Sequence, residues 1–102
     1  MSALATVSTH VLDVTSGKPA VGVRVTLGTR TLATNDEGRI PDLSGGGINP
    51  GSYRLLFEVG AYFGSIPHLF ETIALEVQLG EGRHYHVPLL IAPYSCSTYR
   101  GT

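Results

Sequence analysis

Apolar residues alternate with polar ones in short runs cut by glycine and proline, and this pattern leaves the chain little choice of architecture. Val21, Val23, Val25 and Leu27 alternate with Gly22, Arg24, Thr26 and Gly28. A period of two puts the apolar set on one face, as in a half-buried strand. Tyr53, Leu55, Phe57 and Val59 do the same against Arg54, Leu56 and Glu58, and Ile73, Leu75, Val77 and Leu79 share one face of 72–79. The runs 7–14, 30–34, 84–92 and 95–99 are rich in β-branched and aromatic residues and read as further strands. Between them stand Gly17-Lys18-Pro19, Asn35-Asp36-Glu37-Gly38 and Gly80-Glu81-Gly82-Arg83, which turn the chain. Seven or eight short strands, broken roughly every 8 to 12 residues, predict an all-β sandwich or small barrel. Residues 41–51, with Gly45-Gly46-Gly47, read as a flexible surface loop. Only 60–69 offers room for a helical turn, which Gly64 and Pro67 keep short.

At 102 residues the chain has the size of one domain spanning residues 1–102. Such a domain buries roughly 60 to 70% of its unfolded surface, so a subunit interface would add useful stability. Seven Lys and Arg against eight Asp and Glu leave a formal charge of −1, which gives nucleic acid no long-range attraction. No apolar run approaches the roughly 20 residues of a membrane span, and 1–6 has neither the basic start nor the apolar stretch of a secretory leader. A cytoplasmic protein with no membrane partner is expected. The single Cys96 has no intrachain disulfide partner and reads as a small packing residue.

Chemistry concentrates at the four histidines and a few arginines. His84 and His86 are two apart on a predicted strand, so they share one face at a backbone spacing of roughly 6.6 to 7 Å. Tyr85, Val87, Leu89 and Ile91 then face the core, and the histidines point outward onto a surface that a further subunit could cover. Pattern alone leaves the direction of His10 open, because Thr9, Val11 and Asp13 or Ser8, Leu12 and Val14 could be the inward set; outward is the expectation. Arg39 follows the Asn35–Gly38 turn, where its guanidinium can offer two parallel donors to a carbonyl or planar heterocycle. Arg100 can do likewise. The ordinary reading of each is a solvated surface group, with Tyr94 and Tyr99 packing on strands and Thr102 in a frayed end. A second reading is a metal site, in which His84 and His86 are joined by His10 or His68. No carboxylate is obviously placed to support it, and Arg39 nearby would oppose a divalent cation.

Four ordered segments carry a resemblance that spans nearly the whole chain. They are Ser8-Thr9-His10-Val11-Leu12-Asp13 with Gly17-Lys18-Pro19-Ala20; Asn35-Asp36-Glu37-Gly38-Arg39; His84-Tyr85-His86-Val87-Pro88-Leu89-Leu90; and Ser97-Thr98-Tyr99-Arg100-Gly101-Thr102. Together they resemble the transthyretin-like 5-hydroxyisourate hydrolases. The match to the hormone carrier transthyretin is weaker, because the carrier lacks the His, Arg and Tyr-Arg-Gly set. The resemblance implies a transthyretin-like two-sheet β-sandwich of about eight strands with one short helix, assembled as a homotetramer (a dimer of dimers) around a central channel. It implies hydrolysis of 5-hydroxyisourate, the product of urate oxidation, without metal or organic cofactor. By motif position, it implies His10, Arg39 and His86 as catalytic residues, and His84, Tyr99, Arg100 and Thr102 as substrate-binding residues. Two departures stand out: the motif ends in Thr102 where the family usually has Ser, and 60–70 looks shorter than the family's helix region.

The implied reaction suits these side chains. Water that attacks a ring acyl carbon has to lose a proton, and the carbonyl oxygen gains negative charge. A neutral imidazole can take that proton near neutral pH, which gives His10 and His86 a joint role, while Arg39 opposes the developing charge. A fixed cation beside an imidazole also disfavours its protonated form. Water attack needs no covalent intermediate, so Cys96 has no expected part as a nucleophile.

Overall fold

Two sheets are built from strands β1 (Thr6–Asp13), β2 (Lys18–Pro19), β3 (Arg24–Leu27), β4 (Arg30–Ala33), β5 (Arg39–Ile40), β6 (Gly51–Phe57), β7 (Ile73–Leu79), β8 (His84–Ala92) and β9 (Ser95–Thr98), with a single helical turn, α1 (Val59–Phe63), after β6. The computed structural model describes residues 3–102, and Met1 and Ser2, which begin the segment read above for a leader, lie outside them. One sheet has the order β2-β1-β8-β9, with β5 also pairing β1, and the other has β4-β3-β6-β7. Every pairing is antiparallel except β1 with β8, which run parallel from Thr6↔His84 to Asp13↔Ile91. A parallel pair cannot be closed by a tight turn, so this contact waits until the whole second sheet has been laid down between its two strands.

Alternation decides which faces meet. Val7 and Val11 of β1, Val87, Leu89 and Ile91 of β8, Val25 and Leu27 of β3, and Leu55 and Phe57 of β6 are buried between the sheets. Each such side chain contributes about 1.5–3 kcal/mol by leaving water. Thr9 is buried among them and stays satisfied because its hydroxyl donates to the Val87 carbonyl at 2.6 Å. Val59 and Phe63 of α1 complete this core. The helix stops at Gly64, as expected, and its first residue comes just before the stretch read for it.

The sandwich with one short helix is therefore the expected fold. Seven strands are those read from the sequence, and the two extra ones are two-residue pairings, β2 inside a segment read as a turn and β5 directly after one. The loop at 41–51 is better anchored than its glycines suggest. Asp42 accepts hydrogen bonds from the Ser44 and Gly46 amides at 2.9 and 2.7 Å, Leu43 is buried, and the Leu43 amide donates to Val7 O at 2.8 Å. The Ser44 hydroxyl and the Gly46 amide together hold the Asp42 carboxyl below its ordinary pKa.

Cys96 is a correction: it is exposed. It lies on β9, an edge strand whose residues are exposed throughout, and among the described residues no strand pairs with its outer edge. Tyr94 and Tyr99 are likewise exposed, at 65% and 58%, and do not pack as strand residues in the core. Among the described residues, no helix is long and apolar enough to cross a membrane.

Gly38 sets the position of β5. It has φ of +73°, its carbonyl accepts from the Val11 amide at 2.7 Å, and a Cβ there would lie 2.5 Å from the Val11 carbonyl oxygen. Gly38→Ala is expected to lower the unfolding free energy by about 1–3 kcal/mol through backbone strain alone. A thermal melt checks this, and an unchanged midpoint would contradict it.

Candidate active site

The parallel ladder between β1 and β8 aligns Thr6 with His84, Ser8 with His86, and His10 with Pro88. With Val7 and Val11 inward, alternation turns Thr6, Ser8 and His10 to the outer face together with His84 and His86. This settles the direction of His10: outward, as expected. On the other side of β1, His10 pairs with Arg39 of β5. On the far side of β8, Gly101 bridges to His86, with its amide donating to the His86 carbonyl at 2.7 Å. Arg39, His10 and Pro88 thus form one row across the outer face, and Ser8, His86 and Gly101 the row beside it.

Gly101 is suited to that place by size. A Cβ would lie 2.7 Å from His86 Cδ2 and 3.3 Å from Pro88 Cγ, so only glycine lets the segment lie flat against the imidazole. The result is a cleft of about 240 Å³ lined by His84, His86, Arg100, Gly101 and Thr102.

Hydrogen bonds hold the two imidazoles in a chain. Thr6 Oγ1 lies 2.7 Å from His84 Nδ1, and Ser8 Oγ lies 2.9 Å from His84 Nε2 and 2.8 Å from His86 Nδ1. His84 is exposed and His86 half-buried. Burial holds the His86 pKa below the ordinary histidine value, and the charges of Arg39, His10 and His84 push it the same way. His86 is therefore neutral at neutral pH and has a lone pair to offer.

Arg100 stands at the edge of this cleft. Its guanidinium lies 4.6 Å over the ring of Tyr85, within cation–π range, and its Nη2 donates to the His84 carbonyl at 3.4 Å. Tyr99 goes elsewhere. It lines a larger, mainly apolar cleft of about 330 Å³ with Leu75, Val77, Leu79 and Tyr85, between β7 and the β8–β9 pair. Arg100 lines both clefts. His68 is also apart from the other histidines. It lies against Phe63 at 5.7 Å, with Nδ1 2.7 Å from Ile66 O and Nε2 2.7 Å from Glu71 Oε1. Two acceptors call for two N–H groups, and the Ile66 carbonyl and the Glu71 carboxylate raise the His68 pKa accordingly.

The geometry thus gathers His10, Arg39, His84, His86 and Thr102 on one face, with Arg100 at its rim, and leaves Tyr99 outside it. It does not join His68 to the His84–His86 pair, and among the described residues no three His, Cys, Asp or Glu side chains are grouped to hold a metal ion. Ser8 and Thr6 are the members that sequence reasoning missed. Their signal was present in β1: once His10 is known to point outward, every second residue before it does too.

The profile of the HIUase/Transthyretin family matches residues 7–101. A curated relative, 5-hydroxyisourate hydrolase 2 of Rhizobium meliloti (strain 1021), is 38% identical over 120 residues, covering 100% of both chains. The solved structure of Klebsiella pneumoniae 5-hydroxyisourate hydrolase superposes with a TM-score of 0.88 at 37% identity, covering 100% of this chain and 97% of that one. Sea bream transthyretin in complex with thyroxine shares the fold, with a TM-score of 0.81 at 24% identity over 94% of each chain. Sequence and architecture agree from β1 to the Gly101 bridge, and the chain belongs to the HIUase/Transthyretin family.

Proposed function

We propose that this protein is an enzyme that hydrolyses 5-hydroxyisourate to 2-oxo-4-hydroxy-4-carboxy-5-ureidoimidazoline, a step of urate degradation. The observation that carries this reading is the pairing of Arg39 with His10 in the row next to that of His86, which lines a cleft of about 240 Å³, room for a small planar heterocycle and a water. Attack on the ring acyl carbon needs a base for the water proton and positive charge near the oxygen that becomes an oxyanion. His86, kept neutral by burial and by Arg39, takes the proton together with His10. Arg39 opposes the oxyanion charge. Arg100 and Thr102 hold the substrate edge nearest the rim, with His84 supporting His86 from the side. Tyr99 reaches substrate only if the apolar cleft it lines is closed by another subunit.

Four copies arranged as a dimer of dimers, with the outer histidine faces lining a shared channel, would enclose a site that one chain leaves open to solvent. The half-buried His86 and exposed His84 and Arg39 fit such a covering. Residues 1–102 act as one domain in this reading, and the reaction takes place in the cytoplasm. Sedimentation at micromolar concentration is expected to give a tetramer, whereas a strictly monomeric protein would leave the site incomplete.

The direct test follows the ultraviolet decay of 5-hydroxyisourate generated freshly from urate. The wild-type protein is expected to speed this decay, before and after exhaustive chelation; decay no faster than in buffer would overturn the assignment. His86→Asn is expected to lower kcat by about 10²- to 10⁴-fold, and Arg39→Ala by about 10²- to 10³-fold. Because both side chains lie on the outer face, the thermal midpoint should stay near that of the wild type. Wild-type rates in either variant would remove that residue from the mechanism.

The pH profile carries a sign. Activity requires neutral His86, so kcat/KM falls as pH drops through its folded-state pKa, which lies below the ordinary histidine value. Arg39→Gln removes one cause of the depression and leaves burial in place. The acid limb of the surviving activity is therefore expected to move to higher pH without passing the ordinary value. A limb that stays in place or moves down would show that Arg39 does not act on His86 electrostatically.

A further inference from the structure

We propose that Ser8 and His84 form a proton relay that fixes the tautomer of His86 and carries a proton between the cleft and the half-buried Thr6 hydroxyl at the start of β1. The inference rests on the hydrolytic reading of His86 given above. Three contacts run in sequence: His86 Nδ1 to Ser8 Oγ at 2.8 Å, Ser8 Oγ to His84 Nε2 at 2.9 Å, and His84 Nδ1 to Thr6 Oγ1 at 2.7 Å. Each neutral imidazole and each hydroxyl has one hydrogen to give. A Ser8 that accepted from both rings would leave its own hydrogen, at a nearly buried position, with neither imidazole as acceptor; with that hydrogen donated to one of them, all three bonds can be made in only two ways, which run in opposite directions.

In the outward sense His86 Nδ1–H donates to Ser8, Ser8 O–H donates to His84 Nε2, and His84 Nδ1–H donates to Thr6. His86 Nε2 is then an open lone pair, the form a base requires. In the inward sense every bond is reversed and His86 carries its hydrogen on Nε2, the form a general acid requires. One step converts the first into the second. His86 Nε2 takes a proton from the attacking water as its Nδ1 proton passes to Ser8, the Ser8 proton to His84 Nε2, and the His84 Nδ1 proton to Thr6, which releases its own to solvent. The water loses one proton, bulk water gains one, and both imidazoles end neutral.

This matters because of what surrounds His86. Arg39 on β5 is a cation and His10 on β1 a potential cation on this face, and an imidazolium at His86 would be opposed by both. The relay lets His86 accept a proton without becoming an imidazolium. Ser8 is 9% exposed and therefore sheltered from competing water, whereas His84 is exposed, as an exit needs. In this scheme Ser8 and His84 are positioning residues, and neither has to touch substrate.

The test uses the full-length protein without and with substrate. In the first arm, ¹⁵N NMR of the histidine rings well above their titration range reads the tautomer of His86. The wild type is expected to carry hydrogen on Nδ1. Ser8→Ala removes the acceptor, and His84→Phe frees the Ser8 hydroxyl to donate to His86, so both variants are expected to shift His86 to hydrogen on Nε2. In the second arm, both variants are expected to lose about 10- to 100-fold in kcat with a smaller change in KM. The solvent deuterium dependence of kcat should be curved in the wild type and straight in both variants, as a multi-proton step becomes a single one. His84 is exposed, so its variant keeps the proposal testable if Ser8→Ala melts early. A wild-type His86 hydrogen on Nε2, or variants with an unchanged tautomer and isotope dependence, would overturn the relay. Failure of the wild type to hydrolyse 5-hydroxyisourate would overturn the function on which it rests and leave the tautomer result standing by itself.

Discussion

The parallel pairing of β1 with β8 is the constraint on which both the fold and the site depend. It joins segments from opposite ends of the described chain; Ser8 and His86 are 78 positions apart. Its inner face supplies Val7, Val11, Val87, Leu89 and Ile91 to the core, and its outer face carries Thr6, Ser8, His10, His84 and His86, of which the last two line the cleft. A slip of one residue would exchange the two faces, burying imidazoles and exposing valines. The cost of burying unpaired polar groups therefore guards the register, so the packing that stabilises the sandwich also aligns the chemistry.

Much of this arrangement is legible in the sequence because a period of two carries its own geometry. The alternation of Tyr85, Val87, Leu89 and Ile91 fixes the outward direction of His84 and His86 without reference to any other strand. Arg39 is harder, since its role depends on a two-residue pairing that lies within a segment rich in turn residues. Ser8 is harder still. Its hydroxyl gains meaning only from the neighbouring strand, and no local pattern says that β1 lies beside β8 or in which register. The motif around Tyr99 groups four consecutive residues, yet backbone geometry divides them: Gly101 and Thr102 go to the histidine cleft, and Tyr99 to the apolar one. Proximity in sequence did not translate into a shared site. Cys96 and Tyr94 were misread for a related reason, because an edge strand can have strand-forming residues with nothing to pack against.

Electrostatics on the outer face follows from this separation. Core packing makes no demand on Arg39, His10 or His84, so several basic groups can sit together where a buried cluster would be prohibitive. Their mutual repulsion is small in stability, and it adds to burial in favouring neutral imidazole over imidazolium at His86. Glu71 acts in the opposite way on His68, where a carboxylate and a carbonyl favour the charged ring. Two histidines in one small chain are thus driven apart in acidity by their neighbours.

The anchoring of the imidazoles on a central ladder also sets how this site can move. Residues in the middle of a sheet open only when a large part of the structure opens, so His86 and Ser8 have no local hinge with which to admit a substrate. Traffic in and out then depends on the open side of the face. In the proposed tetramer gating would belong to the spaces between chains, and the rigidity of each chain would keep the geometry of its site unchanged while molecules come and go.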